Sequence, residues 1–265
     1  MALKIGVMAE SFRAENFRTA AETAASLGAT GMQVYITDDS PLLTINDMTD
    51  AKVREVLDIM NSNGLIFSAA CGDMGYGFEE NPHFIERSKR ILDVAKKLDC
   101  SIVTTHIHEV PVEENERKQI MRDACNELAS YADSIGSCFA LETGPEPGKR
   151  LAEFLNSLDA KGVRVNLDPA NLVMDAGDDP VEAGEYLKDY IVHTHAKDGR
   201  KLGATTYIEL PLGQGDVDFD AYLKKLVSVG FDGYLTIERE VGENPYADIK
   251  LAFDFLTEKK RILGV

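Results

Sequence analysis

The chain has 265 residues, 44% apolar and 28% charged, with 21 Gly and 9 Pro spread along it, which is the composition of an ordinary globule with room for one large domain over 1–265. Its net charge of −17 excludes general nucleic-acid binding, which needs a Lys/Arg footprint on the phosphates, although a few local cations can still hold a small anion. No apolar run approaches the ~20 residues of a membrane span, so a membrane is not expected as a partner.

Strand and helix patterns alternate from end to end. The opening M-A-L-K-I-G-V enters a strand at 4–10 directly, without the charged and apolar regions of a signal peptide. A helix at 16–27 follows and stops at Gly28; strand 31–36 leads to helix 47–63, which stops at Gly64. Strand 65–71 precedes helix 82–98, and strand 101–108 precedes a long helix, 113–135, ending at Gly136. Strand 138–142 leads to helix 149–158, and strand 163–168 to helix 180–189. Strand 190–195, helix 219–229, strand 233–238 and helix 245–260 complete the series. The helices carry apolar residues three and four apart, as in Ile91, Leu92, Val94, Ala95 and Leu98.

Eight βα units in about 250 residues predict a closed α/β (β/α)₈ TIM barrel. The alternative is an open, doubly wound sheet. The first strand is not followed by the G-x-G-x-x-G or P-loop turn that would favour it.

Alternate strand residues face the helices or the barrel interior. Taking the apolar set as helix-facing turns Phe139 and Leu141 outward and Glu142 inward. The same rule sends Asn166 and Asp168, His193 and His195, and Thr236 and Glu238 inward on the last three strands, and Thr104, His106 and His108 on the fourth. The last inward residue of four consecutive strands is therefore Glu142, Asp168, His195 or Glu238, at the end of the barrel where such folds keep their chemistry. Three carboxylates aimed at one confined space repel each other, and a divalent cation resolves this. Three oxygens and one imidazole suit Mn²⁺, Mg²⁺, Co²⁺ or Zn²⁺. The competing reading pairs each carboxylate with a nearby Lys or Arg. The four cysteines show no C-x-x-C spacing and read as reduced, small buried residues of a cytoplasmic protein.

The strand ends read L-E-T-G-P (141–145), N-L-D-P-A-N (166–171), H-T-H-A-K-D (193–198) and T-I-E-R-E-V-G (236–242), with P-L-G-Q-G-D-V-D-F at 211–219. As a set, over nearly the whole chain, they resemble the sugar phosphate isomerase/epimerase group of xylose-isomerase-like barrels. That group includes ketose 3-epimerases, inosose dehydratases, hydroxypyruvate isomerases and apurinic endonucleases. The resemblance implies one divalent metal, Mn²⁺ first, held by Glu142, Asp168, His195 and Glu238. It also implies that Glu142 and Glu238 exchange protons with the substrate. Several epimerases and the endonucleases carry a His where this chain has Asn171, and the chain has only 5 His, with His83 in a helix. DNA repair is thereby disfavoured, and a simple match to the ketose 3-epimerases is broken.

The chemistry these residues support is proton transfer through an enediolate: a cation polarises a carbonyl and its neighbouring hydroxyl, one carboxylate takes the proton and a second returns it. The expected function is a sugar isomerase or epimerase acting on a small carbohydrate, either a keto-sugar or its phosphate. A lyase on the same scaffold, eliminating water or a 3-keto-glycoside aglycone, is the alternative, and a non-catalytic sugar-binding barrel is a third reading. His106, Asn171, Lys197 and Arg200 are candidate substrate contacts. Glu10, Tyr35 and Cys71, at the ends of the first three strands, are pocket-lining candidates. The long connection 198–218, with its G-Q-G turn, is expected to be a loop covering the site. A homo-oligomer is compatible with the sequence.

Overall fold

In the computed structural model, which describes residues 3–72, 77, 78 and 81–265, the predicted strands close on themselves. The strands are β1 (Lys4–Met8), β2 (Gly31–Tyr35), β3 (Ile66–Cys71), β4 (Ile102–Thr105), β5 (Cys138–Glu142), β6 (Val163–Leu167), β7 (Ile191–Ala196), β8 (Asp198–Lys201), β9 (Tyr207–Leu210) and β10 (Tyr234–Ile237). All but β8 and β9 form a closed parallel barrel in the order β1-β10-β7-β6-β5-β4-β3-β2, with β10 as the eighth stave. The helices are α1 (Phe17–Ser26), α2 (Asp50–Ser62), α3 (His83–Lys97), α4 (Glu116–Ser134), α5 (Gly148–Asn156), α6 (Pro169–Asn171), α7 (Pro180–Tyr186), α8 (Phe219–Ser228) and α9 (Pro245–Leu263). This is a (β/α)₈ TIM barrel.

Local chemistry sets the ends of these elements. Asn16, Thr49, Asn115 and Asp218 each accept a backbone N–H from the first turn of the helix they precede, which satisfies an otherwise orphaned donor. Helices α2 and α4 therefore start three residues later than apolar spacing predicts, because the capping side chain rather than the apolar stripe defines the first turn. Helix-facing strand residues such as Phe139, Leu141, Val165, Leu167, Leu235 and Ile237 are buried against the apolar helix stripes and form one continuous core.

Two expectations need correction. The fourth strand ends at Thr105, so His106 and His108 lie past the strand's end rather than within it. The 198–218 connection is also not a plain loop, because β8 and β9 form an antiparallel hairpin within it. Lys201 Nζ donates to the carbonyls of Met174 and Asp175, so the hairpin is tied to the turn that follows α6. The carboxylate of Asp198 accepts the backbone N–H groups of Gly199, Gly213, Gly215 and Val217 at 2.8–3.2 Å, closing the G-Q-G turn around itself. Gly213 has φ +83°, and a Cβ on Gly215 would overlap the Asp198 carboxylate, so both glycines are required.

All four cysteines are free, and burial pushes the thiols of Cys100 up to about 11 and of Cys125 and Cys138 up to about 12. Thiols raised in this way carry little of the reactive thiolate at neutral pH. Among the described residues no helix is long and apolar enough to cross a membrane.

Candidate metal centre

Strand alternation brings the four predicted residues to one point. Glu142 ends β5, Asp168 and Glu238 directly follow β6 and β10, and His195 is the fifth residue of β7. Each is at most 6% exposed. His195 Nδ1 lies 3.4 Å from Glu142 Oε1, 3.3 Å from Asp168 Oδ2 and 3.3 Å from Glu238 Oε2. One ligand atom from each residue falls within 4.8 Å of the others. Donors about 2.0–2.2 Å from a divalent ion stand roughly 3–4 Å apart, so both the spacing and the donor chemistry fit a bound cation.

Among the protein's own groups, His195 and Lys197 balance the charge of the carboxylates. Burial disfavours the carboxylate of Glu142, but the positive charges of His106 and His195 outweigh it and hold this group below its usual range. Burial likewise opposes ionisation of Glu238, yet His195 and Lys197 hold it well below. His195 is correspondingly pushed well above the usual imidazole value, burial being overcome by the charges of Glu238 and Glu142. The competing sequence reading is met at one place: Lys197, itself buried, donates to Glu238 Oε2 at 3.0 Å and contacts Glu240 at 3.2 Å.

Beneath the four lies a polar ladder instead of the bulky apolar layers that usually fill a barrel. Gln33 Nε2 donates to Thr104 Oγ1 at 2.8 Å, which leaves Gln33 Oε1 to accept from His195 Nε2 at 2.9 Å. An amide oxygen only accepts, so Nε2 carries a proton and Nδ1 is the nitrogen that faces the carboxylates. Asn166 Oδ1 accepts from His193 Nδ1 at 2.9 Å, so His193 Nε2 accepts from Thr236 Oγ1 at 2.9 Å. Burial pushes His193 down to about 3, so its ring is neutral at physiological pH. Asn166 Nδ2 then donates to Glu142 Oε2 at 3.0 Å, and Asn171 Nδ2 donates to Glu142 Oε1 at 2.9 Å. Both carboxylate oxygens of Glu142 are thereby oriented. Asp168 divides its labour: Oδ1 accepts the N–H groups of Ala170 and Asn171 at 2.8 and 2.9 Å, while Oδ2 faces His195.

The other predicted residues are placed unequally. Asn171 and Lys197 touch the cluster, and the partly exposed His106 has Nε2 3.7 Å from Glu142 Oε2. Arg200 does not join them; it lies on β8, with Nε 2.7 Å from Asp216. Glu10 sits in the 3₁₀ turn after β1, and its Oε1 accepts the Tyr35 backbone N–H at 3.1 Å. Burial, with a smaller push from Glu238, raises its carboxyl to about 7. Cys71 is buried at the end of β3, in register with Tyr35 and Thr104. Sequence reasoning passed over Gln33. A glutamine at an inward position of the apolar run G-M-Q-V-Y was the available signal.

The family model for the xylose isomerase-like TIM barrel matches residues 21–259, and the chain belongs to that family. Among curated proteins it is similar to an uncharacterized protein of Methanocaldococcus jannaschii, 24% identical over 170 residues. That match covers 59% of this chain and 56% of the relative, so the chain spans little more than half of that protein's length. The solved xylose isomerase domain protein of Planctomyces limnophilus superposes with a TM-score of 0.86 at 23% identity, covering 99% of this chain and 98% of that one. A D-tagatose 3-epimerase-like protein gives 0.80 at 17% identity, covering 99% and 98%. The IOLI protein, solved with a bound zinc atom, gives 0.79 at 17% identity, covering 98% of each chain. At these identities the structural likeness shows the shared fold.

Proposed function

We propose that the chain is a divalent-metal-dependent isomerase or epimerase that moves a proton on a sugar, keto-sugar or sugar phosphate. Glu142, Asp168, His195 and Glu238 would hold the ion, and Glu142 and Glu238 would exchange the proton. The observation that carries this reading is the convergence of three buried carboxylates on His195 Nδ1 at 3.3–3.4 Å. Among ions that suit such a donor set, Mn²⁺ is our first choice, with Mg²⁺, Co²⁺ and Zn²⁺ also fitting. When bound, the ion supplies Lewis-acid polarisation of the substrate oxygens beside the carbon that loses its proton.

The chain's own groups do the rest. Strands β5 and β10 are separated around the ring by β6 and β7, so Glu142 and Glu238 approach a substrate from two sides. One carboxylate takes the proton and the other returns it. Return to the opposite face inverts the centre, and return to the neighbouring carbon interconverts aldose and ketose. The amides of Asn166 and Asn171 hold Glu142 in one orientation, and the Lys197 ammonium keeps Glu238 ionised until it receives a proton. His106, Asn171 and Lys197 are the substrate contacts best placed for hydroxyl groups, and Arg200, paired with Asp216, is the fourth candidate. Four free, buried or half-buried thiols are consistent with a reducing cytoplasm.

The test is incubation of the Mn²⁺-loaded protein with ketoses and their phosphates in D₂O, followed by NMR. Recovered sugar should carry deuterium on the carbon beside the carbonyl. Glu142→Gln and Glu238→Gln should each slow the exchange by roughly 10²-fold or more. Loss of water or an aglycone without exchange would assign the site to a lyase. Affinity without turnover would make it a sugar-binding barrel. Either result overturns the proposal.

A further inference from the structure

A cavity of about 210 Å³ opens beside Glu238, on the β1–β2 side of the barrel mouth, lined among others by Glu10, Ser11, Arg13, Tyr35 and Glu240. It is smaller than the roughly 300–1,000 Å³ of pockets for drug-sized ligands, which suits one end of a small metabolite. Oε1 of Glu10 is engaged by the Tyr35 backbone, whereas Oε2 is buried with no hydrogen-bond partner among the described residues. A buried carboxylate oxygen left without a donor is rare in folded proteins and signals a missing partner. The turn that carries Glu10 is itself held under strain: Arg13, a non-glycine residue, adopts a left-handed φ of 50°. Its guanidinium donates to the carbonyls of Glu240 and Gly242, both at 2.9 Å, which ties the turn after β1 to the segment after β10.

The charges in the wall decide what kind of ligand fits. Arg239 is taken by Glu209 at 2.7 Å and Asp248 at 2.9 Å, and Lys197 by Glu238 and Glu240. Arg13 spends its guanidinium on two backbone carbonyls, so the three carboxyl groups of Glu10, Glu238 and Glu240 outnumber it and leave the cavity rich in hydrogen-bond acceptors. A phosphate or carboxylate placed there would meet the charges of Glu238 and Glu240, whereas a hydroxyl group, which both donates and accepts, satisfies Glu10 Oε2 in either protonation state.

We infer that Glu10 is a specificity residue, and that the cavity between Glu10 and Glu238 receives a hydroxyl-bearing, uncharged end of the substrate, selecting neutral sugars over their phosphates. This inference rests on the proposed function for the identity of the site as a sugar site, but its test reads binding and does not require turnover.

The Mn²⁺-loaded protein is titrated with D-fructose, D-tagatose and D-fructose 6-phosphate and followed by ligand-detected NMR. Both neutral ketoses should bind more tightly than the phosphate. Glu10→Met, which cannot accept a hydrogen bond, should weaken ketose binding by about tenfold or more. Glu10→Gln keeps a carbonyl oxygen and should stay within about threefold of wild type. Mn²⁺ affinity and melting temperature, measured in parallel, should be unchanged in the Gln variant, which keeps the comparison valid if the Met variant folds poorly. Equal ketose binding by wild type and Glu10→Met, tighter binding of the phosphate, or no binding of either ketose overturns the assignment. Binding as expected with no deuterium exchange would leave this subsite standing while sinking the proposed reaction.

Discussion

Asp168 allows a sharp test, because its two oxygens carry different duties. Oδ1 caps the turn at Ala170 and Asn171, and Oδ2 faces His195 in the proposed metal centre. Asp168→Asn retains an oxygen for the cap but replaces the proposed ligand oxygen by an amide; Asp168→Ala loses both. Loss of such a cap costs about 1 kcal/mol, which lowers the melting temperature of a domain this size by about 2–4 °C. An ion present at about one hundred times its dissociation constant stabilises the folded state by about 2.7 kcal/mol, or roughly 5–10 °C. Differential scanning calorimetry in EDTA and in Mn²⁺ separates the two effects. Wild type should gain the full increment. The Asn variant should melt near wild type in EDTA and gain little from Mn²⁺. The Ala variant should gain little and also melt about 2–4 °C below the Asn variant. A full Mn²⁺ increment in the Asn variant would refute the ligand assignment, and equal melting of the two variants in EDTA would refute the division of labour.

Two further perturbations test the frame around the site. Glu146 is buried, accepts the Val110 N–H at 3.0 Å, and is raised to about 7, burial outweighing that bond and the charge of Arg150. Its folded value lies above the unfolded one, so the folded state binds more protons between the two values, and this contribution to stability falls as pH rises through that window. Glu146→Gln does not titrate, so its stability relative to wild type should rise by up to about 3 kcal/mol between about pH 4.5 and pH 8 in urea melts. A pH-independent difference would contradict the assignment. Asp198→Ala strips the acceptor from four backbone N–H groups, and the amides of Gly199, Gly213, Gly215 and Val217 should exchange with solvent faster by an order of magnitude or more. Unchanged exchange would show that the G-Q-G turn holds itself without the carboxylate.

The barrel and the four clustered residues were legible because both depend on short-range periodicity. A strand reverses its side chains at every residue, so the apolar face of F-A-L-E or V-R-V-N-L-D settles where Glu142 and Asp168 point before any strand is paired. Pro and Gly punctuation marked the helices in the same local way. The end of the fourth strand at Thr105 was not legible, because the T-T-H-I-H run continues the alternation after the ladder stops. Nor was the hairpin within 198–218, whose pairing depends on Asp198 gathering N–H groups from as far along the chain as Val217.

The site divides along the same line. Which residues face inward at the barrel mouth follows from the sequence alone, through the fixed period of the extended chain. Which nitrogen of His195 meets the carboxylates, which cation answers Glu238, and which oxygen of Glu10 goes without a donor were decided only by closure of the barrel. Gln33 and His195 are 162 residues apart, and Asn166 and Glu142 come from different strands. Hydrogen bonds have directions and short reach, so such pairings exist only once β2, β5, β6, β7 and β10 stand at fixed positions around one ring.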